Sequence, residues 1–217
     1  DGNPAHRLSQ KLGKMPAGRH TAVVSDGWKD PVPWQLEDGY LYTAVVRLRD
    51  RRGQVVDEYP PFSFGFREVW REGRSIILNG RKIRFRLGWE KNLTLDTLGM
   101  FRAMGQNVFE FQPNPTLWWA NWHETPIYDH ELLDALDARG CGVIMPVPGV
   151  GYLIPELLQN ESVRKQYEHE LELWLRRYRN RPSILVWANS MNCIGNLETQ
   201  KPTGMGQSDV VRGTINE

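Results

Sequence analysis

The alternation of apolar and polar residues predicts antiparallel β-strands in the early part of the chain. Residues 1–40 are rich in Gly, Pro and Asp and have no sustained period, which predicts loop with at most short strands. Apolar residues then alternate with a period of two from Tyr40 to Asp50, the pattern of a β-strand. A turn at Gly53 returns the chain along Gln54–Tyr59, and a third strand is predicted over Pro61–Val69. Because three strands are too few to bury both faces of a sheet, we interpret this part as the end of a β-sandwich.

The dipeptide Asn79-Gly80 marks the point at which the pattern changes. It lies between two apolar runs, and both residues tolerate positive φ, which predicts a two-residue β-hairpin turn. After it, short apolar runs alternate with segments whose apolar residues recur at helical spacing. This alternation implies parallel strands with helices packed on the outside. The predicted strands are Ile83–Trp89, Asn107–Gln112, Gly142–Val147 and Ser183–Trp187, and the predicted helices are Thr94–Gly105, Ile127–Gly140 and Glu161–Asn180.

The first and last of these helices have recognisable apolar stripes. In the first, Thr94 is the predicted N-cap, because a threonine hydroxyl accepts a hydrogen bond from the first turn. In the last, Trp174 lies on the stripe and is predicted to pack against the core. The predicted buried stripe of the first helix is Leu95, Leu98, Phe101 and Met104.

Two parallel architectures compete for the later part of the chain. A doubly wound sheet would carry a glycine-rich phosphate turn after its first strand, where this chain has GWEKNLTL. A (β/α)8 barrel uses ~250 residues and places its chemistry at the carboxyl ends of its strands. The sequence therefore predicts an α/β fold, in which residues 76–217 are the first half of a (β/α)8 TIM barrel. Residues 1–70 are predicted to be the C-terminal part of the preceding β-sandwich domain.

The charges of the chain are balanced. There are 27 basic and 26 acidic residues, with a net charge of +1. Such a chain has no long-range field to attract nucleic acid or an anionic membrane, and its apolar runs are shorter than the ~18 residues of a membrane span. We therefore predict no nucleic-acid partner and no membrane partner. The local basic clusters Arg47–Arg52 and Arg176–Arg181 are interpreted as solvated faces.

Cysteine and histidine residues lack the spacing of a metal or redox site. Cys141 and Cys193 are far apart, and the five histidines are scattered. The sequence has no HxH or HExxH pair. We predict no metal site and no cofactor, and we interpret both cysteines as small buried hydrophobic residues.

Six segments follow one another in an order that resembles a known family. They are GYLYTAVVRLRD, FGFREV, ILNGRKIRFR, GQNVFEFQPNP, LLDALDARG and YRNRPSILVW. Their order is similar to that in glycoside hydrolase family 2, the β-galactosidase and β-glucuronidase group, and the similarity covers Trp34 to Asn192. The resemblance implies an immunoglobulin-like β-sandwich, followed by a hairpin that opens a (β/α)8 barrel. It also implies that this chain is a truncated piece of a longer protein.

The chain departs from the family at the catalytic positions. The family's fourth barrel strand ends in asparagine-glutamate, and this glutamate is the general acid/base. Aligned on Pro182 and Trp187, the glutamate falls on Asn192. The family's second strand carries an arginine where this chain has Glu110, and its histidine-containing loop is replaced around Trp89. The family's nucleophilic glutamate belongs to a seventh strand, which the resemblance places beyond this chain.

The ordinary mechanism therefore does not follow from these residues. A retaining glycosidase needs two carboxyl groups ~5–5.5 Å apart across the sugar. One of them must stay protonated to donate to the leaving oxygen, and Asn192 cannot transfer that proton. Three explanations are open: a neighbouring carboxylate has taken over, the chemistry is different, or the protein binds sugar without cutting it.

Glu110 is the first candidate for a replacement carboxylate. Alternation within VFEFQ directs the flanking phenylalanines, such as Phe109, to the helices and Glu110 to the barrel lumen. Glu124, in the following loop, is the second candidate. The alternative role for Glu110 is structural, in a buried ion pair with Arg84 or Arg86 of a neighbouring strand.

Tryptophan is abundant, with nine residues, and its positions favour a sugar-binding site. Trp89 ends the first barrel strand, Trp122 lies in the loop after the second, and Trp187 ends the fourth. In a barrel these positions gather at the carboxyl face, where flat indoles suit the apolar faces of pyranose rings. The alternative is that the tryptophans of the loop form a small core of their own. The predicted partners of the sugar hydroxyls are Asn121, His123 and Asn189.

These observations lead to one principal functional hypothesis. The parent protein is predicted to hydrolyse O-glycosyl bonds of β-linked sugars, with a carbohydrate substrate as its partner and this chain inactive alone. The alternatives are a non-catalytic carbohydrate-binding or interaction protein on the same scaffold, and an unrelated α/β protein with a doubly wound sheet. Open strand edges predict self-association or a homo-oligomer. Analogy with the family favours a periplasmic or secreted location.

Overall fold

The computed structural model describes residues 4–88, 93–110, 129–147 and 159–188. The chain divides into two compact units, Asp1–Val32 and Pro33–Glu217. In the first unit, residues 4–32 contain no helix or strand, as their composition predicts. The predicted domain boundary between residues 70 and 76 falls within the second unit and stays a prediction.

Antiparallel strands occupy the early part of the second unit. The strands are β1 (Tyr42–Arg49), β2 (Val55–Phe64), β3 (Val69–Glu72), β4 (Ser75–Leu78) and β5 (Arg81–Ile83). β1 pairs with β2 in one sheet, and β3, β4 and β5 pair in that order in a second sheet. The predicted first strand and its return through Gly53 are confirmed.

The predicted third strand is not a separate element, because β2 continues through Pro60 and Pro61 as far as Phe64. The register between β1 and β2 shifts between Ala44 and Val46, which produces a β-bulge at the two prolines. Proline lacks the N–H that a regular ladder requires, which is why it predicts a break in a strand. A bulge leaves a residue unpaired, so the prolines are accommodated and the strand continues.

The hairpin turn at Asn79-Gly80 is confirmed. Asn79 has a φ of 49° and Gly80 has a φ of 77°, and the turn joins β4 to β5. The Asn79 side chain donates to the Trp34 carbonyl at 2.8 Å and accepts from the Glu68 N–H at 2.9 Å. The turn is therefore tied to two other segments of the antiparallel part.

The predicted strand Ile83–Trp89 is divided between two sheets. β5 ends at Ile83, and the next strand begins at Leu87. Between them, the Asn107 side chain donates to the Arg84 carbonyl at 3.2 Å and accepts from the Arg86 N–H at 2.8 Å. Because these backbone groups bond to a side chain, the connecting residues leave the ladder.

In the described part of the chain, a parallel sheet with three helices follows. Its strands are β6 (Leu87–Gly88), β7 (Val108–Glu110), β8 (Gly142–Pro146) and β9 (Ile184–Ala188), and the helices are α1 (Leu95–Ala103), α2 (Asp129–Ala138) and α3 (Glu161–Tyr178). The strands pair in chain order, and all three pairings are parallel, as predicted. A doubly wound sheet reverses its strand order at a switch point. The four described strands show no such reversal.

Helix α1 begins with a capping box. The Thr94 hydroxyl accepts from the Thr97 N–H at 3.1 Å, and the Thr94 N–H donates to the Thr97 hydroxyl at 2.8 Å. Thr94 is therefore the N-cap, as predicted. The predicted stripe is right at its centre and wrong at its ends, because Leu98 and Phe101 are buried whereas Met104 is 69% exposed.

Replacement of Thr94 with alanine tests this cap. We expect Thr94→Ala to lower the free energy of unfolding by about 1 kcal/mol, because the Thr97 N–H in the first turn loses the hydroxyl that accepts its hydrogen bond. Chemical denaturation followed by circular dichroism measures the change. Thr94→Ser, which keeps the hydroxyl, is the matched control and should retain most of the stability. Equal stability of the Ala and Ser variants would contradict a role for the hydroxyl.

Two apolar clusters cover the two faces of the parallel sheet. The outer cluster lies between the sheet and the helices, and the inner cluster covers the opposite face with residues of the antiparallel part. Parallel sheets are normally buried on both faces, and this sheet follows that rule. The buried residues of the outer cluster are Leu93, Leu98, Phe101, Phe109, Leu132, Leu133, Leu136, Cys141, Val143, Met145, Tyr178 and Ile184. The buried residues of the inner cluster are Trp34, Leu78, Val108 and Leu185.

The two clusters settle two predictions about packing. Cys141 is buried and free, as predicted for a small hydrophobic residue, and burial raises the pKa of its thiol. Trp174 packs against the outer cluster and meets Tyr178 edge to face, with ring centroids 4.8 Å apart. Trp174 is therefore a packing residue. None of the helices in the described ranges is long and apolar enough to span a bilayer.

Candidate active site

Glu110 is the last residue of β7, and its side chain belongs to the inner face of the sheet. Phe109 lies in the outer cluster and Val108 in the inner cluster, so alternation puts Glu110 on the same side as Val108. Its partner in the parallel register is Ile144, which packs against the inner cluster. Glu110 itself is half-buried. The predicted orientation toward the lumen side agrees with this placement, and the catalytic role stays a prediction.

The alternative ion pair of Glu110 concerns Arg84 and Arg86. The Arg86 guanidinium donates to the Glu37 carboxylate at 2.6 Å and to the Gly105 carbonyl. About half of the Arg86 side chain is exposed at this pair. Arg86 therefore has an acidic partner in Glu37, and the pair between Glu110 and Arg84 stays an alternative.

Trp187 lies on the helix side of the sheet. It pairs in register with Met145 and packs against the outer cluster. In a regular strand, Trp187 would share a face with Leu185, which belongs to the inner cluster. A register shift in β9 moves Trp187 to the other face. Trp187 and Glu110 therefore leave opposite faces of the sheet, and the predicted role of Trp187 as the floor of a sugar pocket has no support from this placement.

The other predicted site residues lie outside the described residues. β6, β7 and β9 run parallel and end at Gly88, Glu110 and Ala188. The carboxyl ends of parallel strands meet at one edge of a sheet, which we call the carboxyl edge. The predicted residues that follow these strands in sequence, and whose placement is not described, are Trp89, Asn121, Trp122, His123, Glu124, Asn189 and Asn192.

A buried polar cluster at the opposite end of β9 was not predicted. We call it the polar junction and define it as Arg67, Asp137, Arg181 and Ser183. The Asp137 carboxylate accepts from the Ser183 N–H at 2.9 Å and from the Arg181 guanidinium at 3.0 Å. Arg67 donates to the carbonyls of Pro182 and Ile184. The cluster thus joins helix α2, strand β9 and the segment that follows β2.

In the polar junction, burial and the neighbouring charges shift the pKa values in opposite directions. Burial raises the pKa of the Asp137 carboxyl, while its hydrogen bonds to Ser183 and Arg181 oppose that increase. Burial lowers the pKa of Arg67, and the charge of Asp137 opposes that decrease. Asp137 is 3% exposed, so these groups interact away from water. Such a cluster stabilises the fold only as long as each member keeps its partners.

The interpretation of Arg176–Arg181 as a solvated face is wrong for Arg181. Its side chain is 18% exposed and forms ion pairs with Asp134 and Asp137. A signal for the cluster was present in the sequence. Asp137 follows Leu133 by one helical repeat, so it falls on the apolar stripe of α2, where an acidic residue needs a buried partner.

Comparison with known proteins supports the predicted resemblance. The profile of the family described as glycosyl hydrolases family 2 matches residues 7–67. A β-glucuronidase of Paenibacillus borealis is 31% identical over 168 residues, which cover 71% of this chain and 27% of that protein. The β-glucuronidase of Mus musculus is 26% identical over 161 residues, which cover 69% of this chain and 22% of that protein. The chain thus spans about a quarter of the length of these relatives.

Solved structures share the fold. The β-glucuronidase of Ruminococcus gnavus in complex with C6-substituted uronic isofagomine has a TM-score of 0.63 at 22% identity, covering 86% of this chain and 30% of that chain. A family 2 β-galacturonidase of Eisenbergiella tayi bound to galacturonate has a TM-score of 0.60 at 24% identity, covering 81% of this chain and 31% of that chain. The matched profile and the similarity to the β-glucuronidase of Paenibacillus borealis show that the chain belongs to glycoside hydrolase family 2.

Proposed function

We propose that this chain is part of a glycoside hydrolase that cleaves O-glycosyl bonds of β-linked sugars, with its pocket at the carboxyl edge of the parallel sheet. One observation carries the proposal. Four parallel strands pair in chain order, and a half-buried carboxylate, Glu110, lies on their inner face at that edge. Enzymes with parallel strands arranged in this way bind substrate at the carboxyl ends of the strands.

The four strands form the first half of a (β/α)8 barrel in this proposal. Strand pairing in chain order, with helices between the strands, is the arrangement of such a barrel. The inner cluster supports it, because Trp34 and Leu78 of the antiparallel part pack against Val108 and Leu185 on the face that would become the lumen. Residues 1–70 would then be the end of an immunoglobulin-like sandwich and residues 76–217 the half-barrel.

Glu110 is the proposed general acid/base, in place of the glutamate that the family carries at the position of Asn192. A carboxyl group beside the scissile bond can donate a proton to the leaving oxygen and later accept one from water. Asn192 would orient the sugar by hydrogen bonds instead. The residues proposed to bind the sugar are Trp89, Asn121, Trp122, His123 and Asn189, each of which follows a parallel strand in sequence.

A second function is a carbohydrate-binding protein without catalysis. The observation that favours it is Asn192, since an amide at the acid/base position can bind a hydroxyl but cannot transfer a proton. Both functions use the same carboxyl edge, so they differ in turnover and not in the location of the site. Self-association of the isolated chain stays a prediction, supported by the open side of β9, which pairs only with β8 among the described strands.

An assay of the full-length protein on aryl β-glycosides tests the proposal. The panel should include β-glucuronides and β-galacturonides, because the relatives are named for these activities. We expect turnover of at least one substrate by the full-length protein and none by residues 1–217 alone. Saturable binding of a sugar without turnover would favour the second function. Absence of both turnover and binding across the panel would reject both functions.

A further inference from the structure

We propose that Arg67 is a positioning residue, which holds the bulge of β9 and so determines which side chains at the carboxyl edge face the pocket. Its consequence for catalysis rests on the proposed function. Arg67 belongs to the segment between β2 and β3, whereas the strand that it holds lies in the parallel sheet. The contact therefore connects the antiparallel part to the candidate site through β9.

Arg67 binds two backbone carbonyls at the start of β9, one just before the strand and one on its first residue. Its Nε donates to the Pro182 carbonyl at 2.6 Å, and its Nη2 donates to the Ile184 carbonyl. The guanidinium is planar, so its two donors have a fixed separation and direction. Two acceptors on one strand, bound by one rigid group, cannot shift relative to each other without losing a hydrogen bond. Arg67 thus fixes the geometry of the strand where β9 begins.

The bulge follows directly after this contact. Val143 pairs with Ile184, and the next residue of β8, Ile144, pairs with Val186, so Leu185 is the extra residue. An extra residue in a strand transfers every later side chain to the opposite face. The structure shows this transfer, since Leu185 belongs to the inner cluster whereas Trp187 packs against the outer cluster.

The residues around Arg67 bring its segment close to the start of β9. A Cβ atom on Gly65 would lie 3.1 Å from Pro182 and 3.0 Å from the Trp34 Cβ, so the absence of a side chain at Gly65 lets this segment approach the start of β9. The Asp137 carboxylate holds the Ser183 N–H between the two carbonyls bound by Arg67. Three consecutive residues at the start of β9 are therefore held by side chains from outside the parallel sheet.

Loss of the two Arg67 hydrogen bonds should change the conformation at the other end of β9. The strand ends at Ala188, and two of the proposed site residues, Asn189 and Asn192, follow it in the sequence. Without the contact, the bulge can relax to a regular register, which would turn the carboxyl end of the strand. A displacement of about 1 Å in a catalytic group reduces the rate by roughly 100-fold. A packing role alone would lower stability without altering the turnover of the folded molecules.

The test compares Arg67→Lys and Arg67→Met in the full-length protein. Lysine keeps the positive charge but lacks the two fixed donors of the guanidinium. Methionine keeps much of the side-chain length but has no donor. Amide hydrogen exchange over residues 184–188 should be about tenfold faster in Arg67→Met, with a smaller increase in Arg67→Lys. The kcat per folded molecule should fall by about 10- to 100-fold in Arg67→Met. Thr94→Ala, which is destabilised at α1, is the control and should retain the wild-type kcat and the wild-type exchange in β9.

Each outcome decides for or against the role of Arg67. Unchanged exchange over residues 184–188 in both variants overturns the proposal, as does a wild-type kcat per folded molecule in Arg67→Met. If Arg67→Met does not fold, Arg67→Lys decides by the same two measurements. If the wild-type protein turns over no glycoside, the proposed function fails, and the exchange measurement alone still decides whether Arg67 holds β9.

Discussion

Asp137→Ala is expected to lower the free energy of unfolding by about 3–5 kcal/mol, the cost of removing one partner from a buried ion pair. The substitution removes the acceptor of the Ser183 N–H and the more buried of the two carboxylates that pair with Arg181. Asp137 is 3% exposed, so water cannot easily replace the lost contacts. Urea or guanidinium denaturation of wild type and variant, with similar m-values, measures the difference.

Two control variants separate the contributions at Asp137. Asp134 also pairs with Arg181 but is 65% exposed, so Asp134→Ala should cost at most about 1 kcal/mol. Asp137→Asn keeps an acceptor for the Ser183 N–H and removes the charge whose burial is unfavourable, so it should cost less than Asp137→Ala. A loss in Asp134→Ala as large as that in Asp137→Ala would contradict the importance of the buried member.

The pH dependence of stability gives a further check on Asp137. Because the pKa of its carboxyl is raised above 3.8 in the folded state, the folded protein binds a proton more strongly than the unfolded chain. This contribution to stability is complete below that value and is lost as the pH rises through the raised pKa. Asp137→Asn should lack this component, so the difference in stability between wild type and Asp137→Asn should change with pH in that window.

The elements and their order followed from local patterns. The period-two run at β1, the Asn79-Gly80 turn and the Thr94 cap of α1 each depend on neighbouring residues, and each is confirmed. The chain order of the parallel strands followed from the alternation of strands and helices. Local spacing is sufficient for these features because hydrogen bonding and side-chain direction repeat with a fixed period.

The predictions that failed concern features that depend on the neighbouring strand as well as on the segment itself. Two prolines remain within β2 because the register with β1 shifts there, and this shift cannot be detected from β2 alone. Trp187 faces the helices because Leu185 is an extra residue in β9, and the contact next to that bulge comes from Arg67, distant in sequence. The prediction of a floor role for Trp187 depends on its place at the end of the strand, which does not determine its face, and that role stays a prediction. For the candidate site, only the position and orientation of Glu110 could be predicted and then described.

Glu110→Gln in the full-length protein is expected to lower kcat by about 100- to 10,000-fold on glycosides with poor leaving groups, the range associated with loss of a general acid. Glutamine has nearly the same size and keeps its hydrogen-bonding capacity, but it cannot donate a proton to the leaving oxygen. Substrates with activated aryl leaving groups need less protonation and should be affected less. Steady-state kinetics on a series of aryl glycosides with different leaving-group pKa values measures this dependence.

A control variant and two possible results decide whether Glu110 transfers the proton. Glu161 lies in the exposed first turn of α3, where it pairs with Lys165 at 2.7 Å, so Glu161→Gln should leave kcat unchanged. If Glu110→Gln lowers the rate equally for good and poor leaving groups, the residue orients the sugar or stabilises β7 but does not protonate the leaving oxygen. If the rate is unchanged, the acid/base group lies elsewhere, and Glu110 returns to the structural alternative, in which its carboxylate balances Arg84. A dependence on the leaving group would place proton transfer on the second parallel strand, because no carboxylate stands at Asn192 to supply it.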